Sequence, residues 1–98
     1  MIINAEETAS QLKIIANPYR LMVLCALVEG AKNVSELMTI TGAPQTLMSN
    51  HLAVLRNASI IDYNRDHRTL NYYLKDQRMR TLLETLYHLY CNNQGVLK

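Results

Sequence analysis

Apolar residues recur at helical spacing along most of this chain, except between residues 60 and 74, where the period drops to two. A brief two-residue period inside an otherwise helical sequence restricts the fold to a helical core carrying one hairpin. The hairpin is read as Ile60-Ile61-Asp62-Tyr63-Asn64, a polar turn Arg65-Asp66-His67-Arg68, and Leu70-Asn71-Tyr72-Tyr73-Leu74, with Leu70, Tyr72 and Leu74 on one face. Before it lie four helices. The first carries Ile3, Ala5, Ala9, Leu12, Ile15 and Ala16 and breaks before Pro18. The second starts at Pro18, is apolar on nearly every face from Tyr19 to Val28 and ends near Gly30, so it is expected at the centre of the core. Val34, Leu37, Met38 and Ile40 form a short third helix that stops at Gly42. After Ala43-Pro44, a fourth runs through Leu47, Met48, His51, Leu52 and Leu55. Beyond the hairpin, Asp76 is placed to cap a last helix that carries Met79, Leu82, Leu83, Leu86, Tyr87, Leu89 and Tyr90 up to Cys91.

The 98 residues allow one domain over 1–98 with one core. All six aromatic residues are Tyr, so Leu, Ile, Val, Met and Ala must fill that core, which favours helices over a large sheet. A chain of this size buries about 60–65% of its surface when it folds alone. The apolar stripe of the last helix is wider than such a core covers, so a homodimer is expected. The N-terminus lacks a basic start with a long apolar run, and no stretch reaches 18 apolar residues, which predicts a cytoplasmic protein without membrane contact. Cys25 and Cys91 are then thiols at rest, and a bond between them is conditional rather than structural. No Ser/His/Asp set, Gly-rich phosphate loop or pair of carboxylates argues for an enzyme or a cofactor.

Charge is unevenly distributed. Residues 1–43 carry Lys13, Arg20 and Lys32 against Glu6, Glu7, Glu29 and Glu36, a net −1, whereas residues 44–80 carry six cations against Asp62, Asp66 and Asp76, a net +3. Helix, short Gly-containing turn, helix and a hairpin with an Arg-rich tip make up a winged helix-turn-helix, mainly α with a small β-hairpin wing. In that arrangement the second helix of the pair enters the major groove. Gln45, Thr46, Ser49 and Asn50 on the fourth helix are hydrogen-bonding side chains with no carboxylate among them, a set suited to base edges and phosphates. The same polar face also fits an ordinary solvent face, and the alternative of another class is a dimeric interaction module that does not read DNA and binds another protein through its Tyr-rich last helix.

The stretch from Leu47 to Arg56, followed by Ile60-Ile61 and the strand ending Tyr72-Tyr73-Leu74, resembles the signature of the ArsR/SmtB family of dimeric bacterial repressors, as does Ala16-Asn17-Pro18-Tyr19-Arg20-Leu21. The resemblance runs from about residue 12 to Cys91. It implies an operator of double-stranded DNA, a dimer seam made by the first and last helices, reader positions at Gln45, Thr46, Ser49, Asn50 and His51, and wing positions at Arg65 and Arg68. For Arg56 two roles stand side by side, a phosphate contact and an intramolecular ion pair. The sequence departs from the family at two points. Pro44 stands where a Ser or Thr cap is usual, and Ala58-Ser59 replaces Ala-Gly, so a left-handed turn there either falls to a non-Gly residue or takes another shape.

Asn33 and Ser35 occupy the positions where family members carry a metal-binding Cys-x-Cys pair, so that site is absent. Asp76, Glu84 and His88 on the last helix lack a repeated ligand spacing. His88 and Cys91 together with Cys25 leave a makeshift metal site as an alternative, and no metal is expected at rest. The contexts Leu24-Cys25-Ala26-Leu27 and His88-Leu89-Tyr90-Cys91 resemble the persulfide-responsive subgroup of the family, the BigR, SqrR and HlyU type. That resemblance implies a repressor released when reactive sulfur species link Cys25 to Cys91 through a disulfide or polysulfide bridge. Without it, Cys25 is equally a small core hydrophobe, and the chain a metal-responsive or effector-independent repressor.

Overall fold

Three Asn side chains set the starts of the first three helices. A computed structural model describes residues 4–90, with the elements α1 (Ala5–Ile15), α2 (Pro18–Glu29), β1 (Lys32–Asn33), α3 (Val34–Thr41), α4 (Gln45–Asn57), β2 (Ile61–Asp66), β3 (Thr69–Leu74) and α5 (Gln77–Tyr90). Asn4, Asn17 and Asn33 are the N-caps of α1, α2 and α3, each accepting a backbone N–H three residues on. Asn33 and Glu36 form a reciprocal capping box. Asp76 Oδ1 accepts from the N–H groups of Arg78 and Met79 at the start of α5. At α4 the cap position falls to Pro44, which offers no side-chain acceptor.

The core gathers around α2. Val23, Leu24 and Leu27 pack with Leu37 of α3, Met48, Leu52 and Leu55 of α4, Ile60 and Ile61 at the wing base, and Leu83 of α5. The turn between α3 and α4 needs a left-handed residue, and Gly42 supplies it at φ 77°, its N–H donating to the Met38 carbonyl at 2.8 Å. At the end of α4 that role falls to Ser59 at φ 62°. Ser59 N–H donates to the Arg56 carbonyl at 2.9 Å and Ile60 N–H to the Leu55 carbonyl at 3.1 Å, the paired bonds of a Schellman ending.

Three features differ from the sequence reading. The sheet has three antiparallel strands in the order β1-β3-β2, because Lys32 and Asn33 pair with Tyr72 and Asn71. Two residues are too few to show a period. The wing strands are also longer than expected: Arg65 and Asp66 pair with Leu70 and Thr69, leaving His67 and Arg68 as the connection, with His67 at φ 59°. Pairing overrides the polar composition of that segment. Finally, the apolar stripe of the first helix is mostly outward. Ala5, Ala9 and Leu12 are exposed and Ile15 alone is buried on α1, while Ile3 lies outside the described residues. At the other end of the chain Leu89 and Tyr90 are exposed, and Cys91 lies outside the described residues.

Candidate nucleic-acid interface

Helix α4 has two chemically distinct faces. Met48, His51, Leu52 and Leu55 point into the core. Gln45, Thr46, Ser49 and Asn50 are exposed on the opposite side, without an acidic residue anywhere in the helix. Side chains of this length and neutrality can donate to and accept from base edges and phosphate oxygens without electrostatic repulsion. The antiparallel hairpin of β2 and β3 carries Arg65 and Arg68 to its exposed tip. His67 lies beside them, its Nε2 3.7 Å from Asp66 Oδ1, with both side chains in solvent.

Arg56 closes the corner between reader helix and wing. Its Nε donates to Asp62 Oδ1 at 3.2 Å and its guanidinium carbon lies 4.3 Å over the Tyr63 ring. Of its two roles, the intramolecular ion pair is the one formed here. The Tyr63 N–H and then the Arg56 guanidinium hold the Asp62 carboxyl below the usual carboxylate range. Tyr63 in turn meets Tyr72 edge to face across the hairpin at 5.4 Å, so the contact chain runs from α4 through β2 to β3.

His51 departs from its reader position. It is buried, its imidazole stacks on Tyr19 at 5.6 Å, and its Nδ1 accepts a hydrogen bond from Arg20 Nε at 3.1 Å. An imidazole enclosed on the core side of α4 cannot reach a base edge. Burial, and secondarily the Arg20 charge, push its pKa below the ordinary histidine value. Arg20 carries no role that the sequence alone assigns. The available signal is a lone cation near the start of helix 18–29, apolar from Leu21 to Val28, with no acidic residue on its first turn.

Cys25 sits half-buried on α2, against which both α4 and α5 pack. Its expected partner Cys91 lies outside the described residues. Among the described residues, no group of three His, Cys, Asp or Glu side chains is gathered to hold a metal ion. No single helix among them is long and apolar enough to cross a membrane.

Residues 17–63, spanning α2 through the start of the wing, match the family described as bacterial regulatory protein, arsR family. The chain is 36% identical over 90 residues to the biofilm growth-associated repressor of Xylella fastidiosa, covering 92% of this chain and 79% of that one. The chain belongs to the ArsR family. The transcriptional activator HlyU of Vibrio cholerae is a further relative, 32% identical over 88 residues that cover 90% of this chain and 82% of that one. The solved structure of V. cholerae HlyU superposes with a TM-score of 0.88 at 32% identity, covering 94% of this chain and all of that one. This ArsR-family chain is thus a winged-helix, DNA-binding transcriptional regulator, with α3 and α4 as its helix-turn-helix and β2-β3 as its wing.

Proposed function

We propose that this ArsR-family regulator is a homodimeric, cytoplasmic repressor that holds an inverted-repeat operator while reduced and leaves it when Cys25 and Cys91 become linked by reactive sulfur. The exposed neutral face of α4 beside the cationic wing tip supports the DNA half of the reading. Gln45, Thr46, Ser49 and Asn50 read or position on the groove, while Arg65 and Arg68 meet phosphates or the minor groove. Leu12 of α1 and Leu89 and Tyr90 of α5 are exposed apolar side chains that a second copy would cover. A twofold dimer reads symmetric half-sites about 34 Å apart.

The observation that carries the sensing half is the place of Cys25, half-buried on the helix that supports both the reader helix and α5. Arg80 of α5 donates to the Val28 carbonyl near the end of α2 at 3.2 Å, so strain in either helix is passed to the other. In the proposed chemistry one thiolate takes the sulfane sulfur of a persulfide, releasing a thiol. The second thiolate then attacks the resulting protein persulfide at the protein-bound sulfur and expels hydrogen sulfide. The persulfide is the two-electron oxidant. With a second equivalent of persulfide both thiolates become protein persulfides, and one attacks the other at its protein-bound sulfur and expels hydrogen sulfide. The trisulfide left behind suits Cα atoms more than about 7 Å apart, a gap that a plain disulfide spans only with backbone movement. Tilting each core against the dimer seam spoils the half-site spacing, and a coupling of about 1–3 kcal/mol lowers operator affinity roughly 5–150-fold.

The test is a salt-controlled binding titration of reduced and persulfide-treated protein on duplex DNA from its own upstream region. Treated protein is expected to lose affinity, and a Cys25→Ser/Cys91→Ser variant to stay bound. Equal release of that variant would sink the sensing half of the reading. Release by stoichiometric zinc or copper, with persulfide inert, would instead favour a metal-responsive repressor.

A further inference from the structure

Arg20 joins three helices through one side chain. Its backbone N–H is held by the Asn17 side chain at 3.1 Å, Nη1 donates to the Ile14 carbonyl in the last turn of α1 at 3.0 Å, and Nε donates to His51 Nδ1 on α4 at 3.1 Å. Because Nδ1 accepts, the imidazole proton sits on Nε2. That Nε2 is buried and has no hydrogen-bond partner. A polar atom left unsatisfied beside a reader helix is costly, and its cost is compensated only if the other side of the ring does something the fold or its function needs. Tyr19 stacked on the ring fixes its plane.

We propose that Arg20 and His51 form a strut that positions the reader helix for DNA, and that the strut holds only while His51 is neutral. The inference rests on α4 being the DNA-reading element. A protonated His51 turns an N–H toward the Arg20 N–H, so the 3.1 Å bond is lost and two cations face each other in a site sheltered from water. The groups that face it are Arg20 and Tyr19 from α2 and the end of α1 at Ile14, and among the described residues no carboxylate acts on its charge. Burial and the Arg20 charge already disfavour the proton. Once bound, the proton breaks the hydrogen bond that ties α4 to Arg20, and through Arg20 to the end of α1. Protons and operator therefore compete, each weakening the affinity of the other by the same factor.

The experiment measures operator affinity between pH 5 and 8 at constant salt, using the full chain and duplex DNA from its own upstream region. All variants carry His67→Gln, so that His51 is the histidine under test and the exposed wing-tip imidazole is removed. Affinity is expected to fall by up to about tenfold per protomer, hence up to about a hundredfold for the dimer, for each pH unit below the point where His51 takes up its proton. His51→Asn keeps an acceptor near the Nδ1 position and cannot be charged, so its affinity is expected to be flat over the same range. An equal pH slope in His51→Asn overturns the proposal. A second measurement needs no variant: the His51 imidazole titration followed by NMR is expected to move to lower pH when the duplex is added, and an unmoved midpoint also overturns it. A chain that binds the duplex equally well at every pH refutes the strut alone, whereas one that binds at no pH refutes the DNA-reading assignment as well.

Discussion

Arg56 donates from Nε to Asp62 Oδ1 at 3.2 Å, tying the last turn of α4 to the first strand of the wing. The guanidinium is spent on an internal carboxylate and the Tyr63 face rather than left for a phosphate, although half its side chain is in solvent.

That pairing separates Arg56 from the wing-tip cations in a way salt can read. Each phosphate contact adds about 0.9 to the slope of log affinity against log salt on duplex DNA. Replacing Arg65 or Arg68 with Met is expected to reduce the slope by about one per half-site. Arg56→Met is expected to leave the slope unchanged while loosening the wing, visible as faster amide exchange across β2.

Asn50 stands exposed on the outer face of α4, and its amide can bond an adenine edge at two points. Asn50→Ala is expected to weaken operator binding by roughly 5–150-fold, from about 1–3 kcal/mol of lost base contact. Discrimination against non-operator DNA falls with it, while thermal stability stays within about 0.5 kcal/mol because nothing in the core moves. An equal loss on operator and random duplex would assign Asn50 to phosphate instead.

Ser59 holds φ 62°, a conformation in which a Cβ is disfavoured and glycine is not. Ser59→Gly is expected to raise stability by about 0.5–1 kcal/mol, the balance between relieved strain and the greater freedom of an unfolded glycine. Thermal unfolding of a domain this size shifts by about 4–8 °C per kcal/mol. Ser59→Val should shift it the other way.

Asp76 caps α5 through the N–H groups of Arg78 and Met79. The Arg78 guanidinium, followed by those two N–H groups, holds its carboxyl below the usual carboxylate range. A carboxyl depressed in the folded state contributes stability that is complete above its unfolded value of about 3.9 and is lost as pH falls through the folded value. Asp76→Ala is expected to cost about 1 kcal/mol at neutral pH. Its penalty relative to the parent should shrink below about pH 4, measured by urea unfolding at several pH values.

The sequence alone determined the order of the helices, the single hairpin and the family, because these follow from short-range rules. Pro18, Gly30 and Gly42 mark helix boundaries within a residue or two, Asp76 is readable as a cap, and the polar face of α4 alternates with its apolar face at helical spacing. At Ala58-Ser59 the sequence leaves two outcomes open, a non-Gly left-handed residue or a differently shaped turn, and Ser59 at φ 62° takes the first. Tertiary structure alone decided which residues far apart in sequence meet. His51 lies at the edge of two faces, and its inward turn is set by Arg20, 31 residues away. Lys32 and Asn33 become a strand only because β3 lies beside them, and Arg65 leaves the expected turn because Leu70 pairs with it. Periodicity reports how each residue sits on its own helix or strand. Which hydrogen-bonding group then finds which partner depends on how the elements dock, and burial without such a partner carries its cost only once they have docked.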